Sequence, residues 1–175
     1  MFSDPQKIID QLFLTKGQVV IDMGSGTGFY TKAAAKAVGS TGHVYAIDLQ
    51  IDLLRRLKKE AQASNLENVQ IVFADLEKPM STKVKDSIAD LVIIANLLFM
   101  IKNKEVILAE AKRVLKPGGR LLVVDWQESF GGIGPQFESV IDRKEAQKLG
   151  EASGFTFNSD IEAGSHHYGL IFKKI

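Results

Sequence analysis

Short aliphatic runs punctuate the chain, and the stretches between them carry apolar residues at helical spacing. Val19-Val20-Ile21 and residues 43–48, 69–74, 90–95 and 120–125 are too continuously apolar for half-exposed strands. They predict strands covered on both faces. Ahead of them, Ser3-Asp4-Pro5 is a helix start, and Ile8, Ile9, Leu12 and Phe13 predict a short amphipathic helix ending near Leu14. Residues 27–38 read as an alanine-rich helix stopped by Gly39, and residues 50–64 as another. Residues 102–115 form a third, with Val106, Ile107, Ala111 and Val114 on one face. Residues 77–87 are polar, contain Pro79 and predict a loop with room for one helical turn. Lys116-Pro117-Gly118-Gly119 reads as a tight turn into the strand that follows. Asp142-x-x-Glu145 is a capping box for a helix to about Ala152, and residues 154–161 and 168–173 predict two closing strands. Strands alternating with helices define an α/β sheet with helices on both faces.

Composition narrows the class of protein. At 175 residues and 45% apolar content the chain is expected to form one domain, residues 1–175, with a full core. Twenty-two Lys and Arg against 21 Asp and Glu leave a net charge of +1, which argues against a broad nucleic-acid-binding face. No cysteine is present, so disulfides and thiolate metal sites are excluded. No apolar run reaches membrane-spanning length, and residues 1–14 lack the layout of a signal peptide. A cytoplasmic protein is the expectation.

Candidate chemistry concentrates where the first strand meets the second helix. Asp22 is read as ending the strand, and Gly24, Gly26 and Gly28 then form a loop whose backbone can approach a ligand without Cβ atoms intervening. A strand, a glycine loop and a helix start together make a nucleotide-binding corner; without a ligand the same residues are a plain glycine turn. The third glycine of a dinucleotide fingerprint would fall at Phe29, and no Gly-Lys-Ser/Thr of a P-loop is present. Asp48, about 20 residues beyond the loop, stands where a strand-end carboxylate takes ribose hydroxyls, and it equally suits a helix N-cap. Asp75 ends the third strand, as a ligand group or as a solvated acid.

Asp-x-Gly-x-Gly-x-Gly at 22–28, the two later acids and Arg-Val-Leu-Lys-Pro-Gly-Gly at 113–119 make the chain resemble the class I S-adenosylmethionine (SAM) methyltransferases from Gly17 to Ile175. Within them it resembles the ubiquinone/menaquinone-biosynthesis-type small-molecule group. The resemblance implies a doubly wound seven-stranded sheet of order 3-2-1-4-5-7-6 with strand 7 antiparallel, and SAM as cofactor. It places Gly24, Ser25, Gly26 and Gly28 at the methionine end, with Asp22 fixing the loop and reaching the amino group. Phe29 and Tyr30 would flank the methyl, Asp48 would hold the ribose and Leu49 would cover one adenine face. Asp75 and the amide of Leu76 would meet the adenine edge, and Asn96 would complete the cofactor set.

The acceptor side is less defined. Asn96-Leu97-Leu98-Phe99 lacks the two prolines of the amino-group methyltransferases and the histidines of many small-molecule relatives, so residues 97–100 read as an apolar wall. Residues 126–138 form either a substrate-side flap or a surface loop. The resemblance puts the final hairpin turn, residues 162–167, on the ligand edge, which makes His166 and His167 the candidates for a general base or else plain polar hairpin residues. Only one helix precedes the first strand, so a full N-terminal lid is not expected. No metal site is expected. The expected activity is methyl transfer to a small-molecule acceptor, by a monomer or homodimer that binds neither nucleic acid nor membrane. A non-catalytic SAM-fold subunit serving a partner, an RNA or protein methyltransferase and, more remotely, a nicotinamide-dependent oxidoreductase are the alternatives.

Overall fold

A computed structural model describes residues 3–175 of the chain; Met1 and Phe2, counted above in the single domain, lie outside the described residues. In chain order the elements are α1 (Pro5–Asp10), β1 (Val19–Met23), α2 (Phe29–Val38), β2 (His43–Asp48), α3 (Ile51–Ala63), β3 (Val69–Phe73) and β4 (Ala89–Ala95). They continue with α4 (Lys104–Val114), β5 (Leu115–Trp126), a 3-10 turn (Phe137–Ser139), α5 (Arg143–Ala152), β6 (Phe155–Ile161) and β7 (His167–Lys174). The seven strands form one sheet in the order β3-β2-β1-β4-β5-β7-β6. The pairs among β1 to β5 are parallel, and β7 runs antiparallel to both of its neighbours, as the resemblance implies.

The continuous apolar runs are explained by packing on both faces. Ile21, Met23, Val92, Ile94, Leu121 and Val123 meet Ile107, Ala111 and Val114 of α4 in one core. Their alternate neighbours Val20, Leu91, Ile93, Leu122 and Val124 meet Ile8, Ile9 and the alanines of α2 in the other. Because side chains alternate along a strand, neither face can take a polar run without losing one of these layers.

Four local expectations are corrected. Asp22 does not end β1, which runs to Met23; its carboxylate is buried within the strand and bonded to Thr31. The second helix starts at Phe29 rather than at residue 27, because Gly28 in the left-handed conformation (φ 77°) is its N-cap. Residues 116–119 do not separate helix from strand: β5 starts at Leu115, and these four residues bulge between the pairs Ala89–Leu115 and Leu91–Arg120. The loop at 77–87 has no helical turn, since Met80, Lys83 and Ser87 all take positive φ. Arg113 of α4 pins it by donating to the Val84 carbonyl (2.7 Å).

The N-terminal helix is tied across one side of the sheet. Asp4 caps it by accepting from the amides of Gln6 and Lys7. Arg120 donates to the Leu12 carbonyl (2.8 Å). The Gln11 side-chain amide exchanges two hydrogen bonds with the Glu162 backbone, at 2.9 and 3.1 Å, in the turn before β7. The strand ends that matter for ligands, the C-terminal edges of β1 to β5, all open on the same side.

Candidate cofactor and acceptor site

The glycine loop is shaped by what presses on it. A Cβ at Gly24 would lie 2.6 Å from Leu97, and one at Gly28 would lie 2.1 Å from Leu57 of α3. Only glycine lets the loop sit between these two side chains. A Cβ at Gly26 would meet nothing within 4 Å, so this face of the loop is open. The amides of Gly24 and Ser25 both donate to the Ile47 carbonyl of β2 (2.8 and 3.0 Å), and the Gly26 amide donates to Asp48 Oδ2 (2.8 Å). The other oxygen of Asp48 accepts from the Gln50 amide (2.9 Å), so Asp48 links the loop to the start of α3 without being its N-cap, which is Gln50.

Beside the loop lies a cleft of about 490 Å³ lined by Asp22, Gly24, Ser25, Gly26, Phe29, Tyr30 and Asn96, with Ser3 and Pro5 at its side. Most of the expected methionine-end residues therefore meet in one place. Burial pushes the Asp22 carboxyl up to about 6, against the opposing bond from Thr31 Oγ1 (2.5 Å). Ser25 Oγ and Asn96 Oδ1 are buried without a hydrogen-bond partner. Such atoms cost free energy unless a ligand satisfies them. A buried carboxylate and two unmatched oxygens suit an ammonium or hydroxyl donor, and the methionine end of SAM brings an ammonium. Tyr30 is held by its hydroxyl against Ser3 Oγ (3.1 Å), and burial raises its pKa to about 12, so it stays neutral.

The adenine half is placed differently. Leu49 and Phe73 project largely exposed at the ends of β2 and β3. Asp75 accepts from the Glu77 amide (3.1 Å), pairs with Lys78 (3.2 Å) and lines no part of the cleft. That backbone bond, then Lys78, holds its carboxyl below the usual range. The Leu76 side chain is buried in the core, which leaves only its backbone for a ligand.

Beyond β5 the two histidines part company. His166 faces the flap: its Nδ1 bonds Glu128 (2.8 Å) and its ring stacks on Phe130 with centroids 3.9 Å apart. His167 is 7% exposed, lies 4.3 Å from the Trp126 ring and has neither ring nitrogen hydrogen-bonded. Burial, then the nearby His166, lowers its pKa, so it is neutral at physiological pH. The flap closes on itself through a Phe130–Ile133 bridge, and Gly134 comes so near the Trp126 indole that a Cβ there would lie 2.8 Å from it. Two features escaped the sequence reading: Ser3 and Pro5 as cleft residues, and the buried Asp125 at the end of β5. Neither carries a local motif; both depend on pairings far apart in sequence.

A Rossmann-like sheet with an acidic glycine loop, and no phosphate-gripping lysine in it, defines a class I nucleoside-cofactor enzyme fold. The chain belongs to the methyltransferase-domain family, whose model matches residues 14–158, and SAM is the cofactor this membership implies. It is 38% identical over 116 residues to a ubiquinone/menaquinone biosynthesis C-methyltransferase of Hydrogenovibrio crunogenus, covering 64% of this chain and 43% of that protein. It is 37% identical over 120 residues to a demethylmenaquinone methyltransferase of Staphylococcus aureus, covering 69% and 48%. The chain thus spans less than half the length of these curated relatives. Among solved structures, a SAM-dependent methyltransferase from Aquifex aeolicus superposes with a TM-score of 0.89 at 28% identity, over 99% of this chain and 91% of that one.

Proposed function

We propose that this protein transfers a methyl group from SAM to a small-molecule acceptor, acting in the cytoplasm. The observation that carries the reading is the pair of unmatched buried oxygens, Ser25 Oγ and Asn96 Oδ1, in a cleft shared with the raised carboxyl of Asp22. When bound, SAM supplies a sulfonium-borne methyl that moves to the acceptor's lone pair while the carbon–sulfur electron pair stays with sulfur, leaving S-adenosylhomocysteine. Asp22, Ser25 and Asn96 hold the amino-acid end, with Gly24, Gly26 and Gly28 giving it backbone access. Asp48 orients the ribose, Leu49 covers the adenine, and Asp75 with the Leu76 amide reads its edge. Phe29 and Tyr30 flank the reacting carbon and keep water from it.

The chain's main contribution is alignment in a sheltered site; well-oriented proximity supplies about 7–11 kcal/mol in favourable cases. The acceptor enters over the ends of β4, β5 and β7, beneath the flap of residues 126–138. Of the two imidazoles, His167, neutral and without a hydrogen-bond partner, is the one assigned to take the acceptor's proton. His166 serves as the flap's anchor. The test is calorimetric titration of SAM, S-adenosylhomocysteine and NAD into the wild type and Asp48→Ala. Binding of both adenosyl ligands, lost in the variant and absent for NAD, is the expected result. NAD binding, or no binding of either adenosyl ligand, overturns the reading.

A further inference from the structure

The last residues of β5 carry a carboxylate that the cofactor and acceptor sets leave unused. Asp125 is 1% exposed and follows four fully apolar strand positions, Leu121 to Val124. Its Oδ2 accepts from the Leu98 amide (2.9 Å) and its Oδ1 from the amide of Trp126 (2.8 Å). One buried carboxylate thus bridges the Leu98 N–H of the segment after β4 and the Trp126 N–H at the end of β5, donors that would otherwise be buried unpaired.

What this turn carries decides what the carboxylate is for. The segment opens at Asn96 in a left-handed conformation (φ 52°), unusual for any residue but glycine, with its amide tied to the Val124 carbonyl (2.8 Å). Its Oδ1 is one of the two unmatched oxygens of the cleft. Leu97, next along, fills the space over Gly24 that a Cβ would occupy. The same three or four residues therefore form the wall between the glycine loop and the β5 edge, and their shape is set from beneath by Asp125.

We propose that Asp125 is a positioning residue for the cofactor cleft: its carboxylate holds the 96–99 turn so that Asn96 and Leu97 meet the bound cofactor in a fixed geometry. The inference rests on the SAM reading given above. A buried strand-end position could hold an apolar residue if stability alone mattered, since an ionised carboxylate is costly there. In its present place it satisfies the Leu98 amide of a sharply turned segment and ties that segment to the end of β5.

The experiment titrates S-adenosylhomocysteine into the wild type, Asp125→Asn, Asn96→Gly and Glu110→Gln at 20 °C. Amide hydrogen exchange and thermal melts are recorded on the same samples. Asn at 125 keeps the size but turns one acceptor into a donor facing donors. Asp125→Asn is expected to bind about tenfold or more weakly and to exchange faster at residues 97–99. Asn96→Gly, whose backbone tolerates the left-handed turn, should match that loss of affinity without the faster exchange. Glu110 is also a buried carboxylate, bonded to Thr82 and Arg113 and lining no part of the cleft. Glu110→Gln should lower the melting temperature and leave affinity unchanged. Wild-type affinity in a folded Asp125→Asn overturns the proposal alone. Should Asp125→Asn not fold, unchanged affinity in Asn96→Gly overturns it and a tenfold loss supports it. A wild type that does not bind overturns the SAM reading, and this inference with it.

Discussion

The two ends of the ligand edge are built on different principles. Over β1 and β2 the glycine loop is clamped between Leu97 and Leu57, its amides donate to the Ile47 carbonyl and the Asp48 carboxylate, and it is set around buried polar atoms. Over β5 and β7 the 126–138 segment is glycine-rich, with Phe130 and Ile133 partly exposed and His166 bonded to Glu128 and stacked on Phe130. A cofactor that is the same at every turnover suits a rigid, pre-shaped cleft. On the proposed function, the 126–138 segment would serve as the cover that an acceptor passes when it enters and leaves. On the proposed function, one sheet edge would separate precision from access.

The largest expected contrast comes from adding one methyl group at each end. Gly28→Ala combines positive φ with a contact at 2.1 Å from Leu57, and is expected to destabilise by about 3–5 kcal/mol in urea unfolding. Gly132→Ala, also at positive φ but with nothing within 4 Å, should cost about 1 kcal/mol. Equal losses would mean that the two loops are equally packed and would erase the distinction.

Next in size is the charge buried under the glycine loop. The folded-state pKa of Asp22 is raised from 3.8 to about 6, so the folded protein binds this proton more tightly than the unfolded chain. The ionised group therefore costs stability above about pH 6, by about 3 kcal/mol, and that cost fades as pH falls from 6 towards 4. Asp22→Asn, which still accepts from Thr31, should raise stability at pH 7.5 by up to about 3 kcal/mol, with the gain shrinking by pH 5. Thermal melts of both proteins across that range check it. A gain independent of pH would mean that Asp22 is not titrating there.

The smallest effect belongs to the flap. His166→Ala removes the Glu128 pair and the stack on Phe130, both partly exposed, and should cost less than about 1 kcal/mol globally. It should nonetheless speed proteolysis and hydrogen exchange at residues 127–136 several-fold, because the Glu128 pair and the Phe130 stack are both lost. Unchanged local exchange would show that the flap is held by other contacts.

How far these properties were legible in the sequence follows the range of the interactions. The glycine loop and the cap at Asp142 depend on short patterns and can be read in the chain, whereas the strand order followed only from the family resemblance. The late start of α2 turns on Gly28 adopting a left-handed cap, which an alanine-rich run conceals. The bulge at 116–119 looks like a turn because Pro117 and two glycines signal one, while its pairing with β4 is made across the sheet. Asp125 passed as an ordinary strand end because its partners lie 27 residues upstream. Ser3 reaches the cleft only by meeting Tyr30, again 27 residues away. His166 and His167 are neighbours in the chain, yet strand alternation and the flap give them opposite surroundings.

The most direct test of a pre-shaped, charged cofactor cleft is the affinity for S-adenosylhomocysteine measured from pH 7.5 to 5 in the wild type and Asp22→Asn. If ionised Asp22 holds the ligand's ammonium, wild-type affinity falls as pH drops through about 6, by about tenfold at pH 5. Asp22→Asn then binds weakly and nearly without pH dependence, though it is the more stable protein at neutral pH. Equal affinities for the two proteins, or a wild-type affinity flat across this range, would contradict the account.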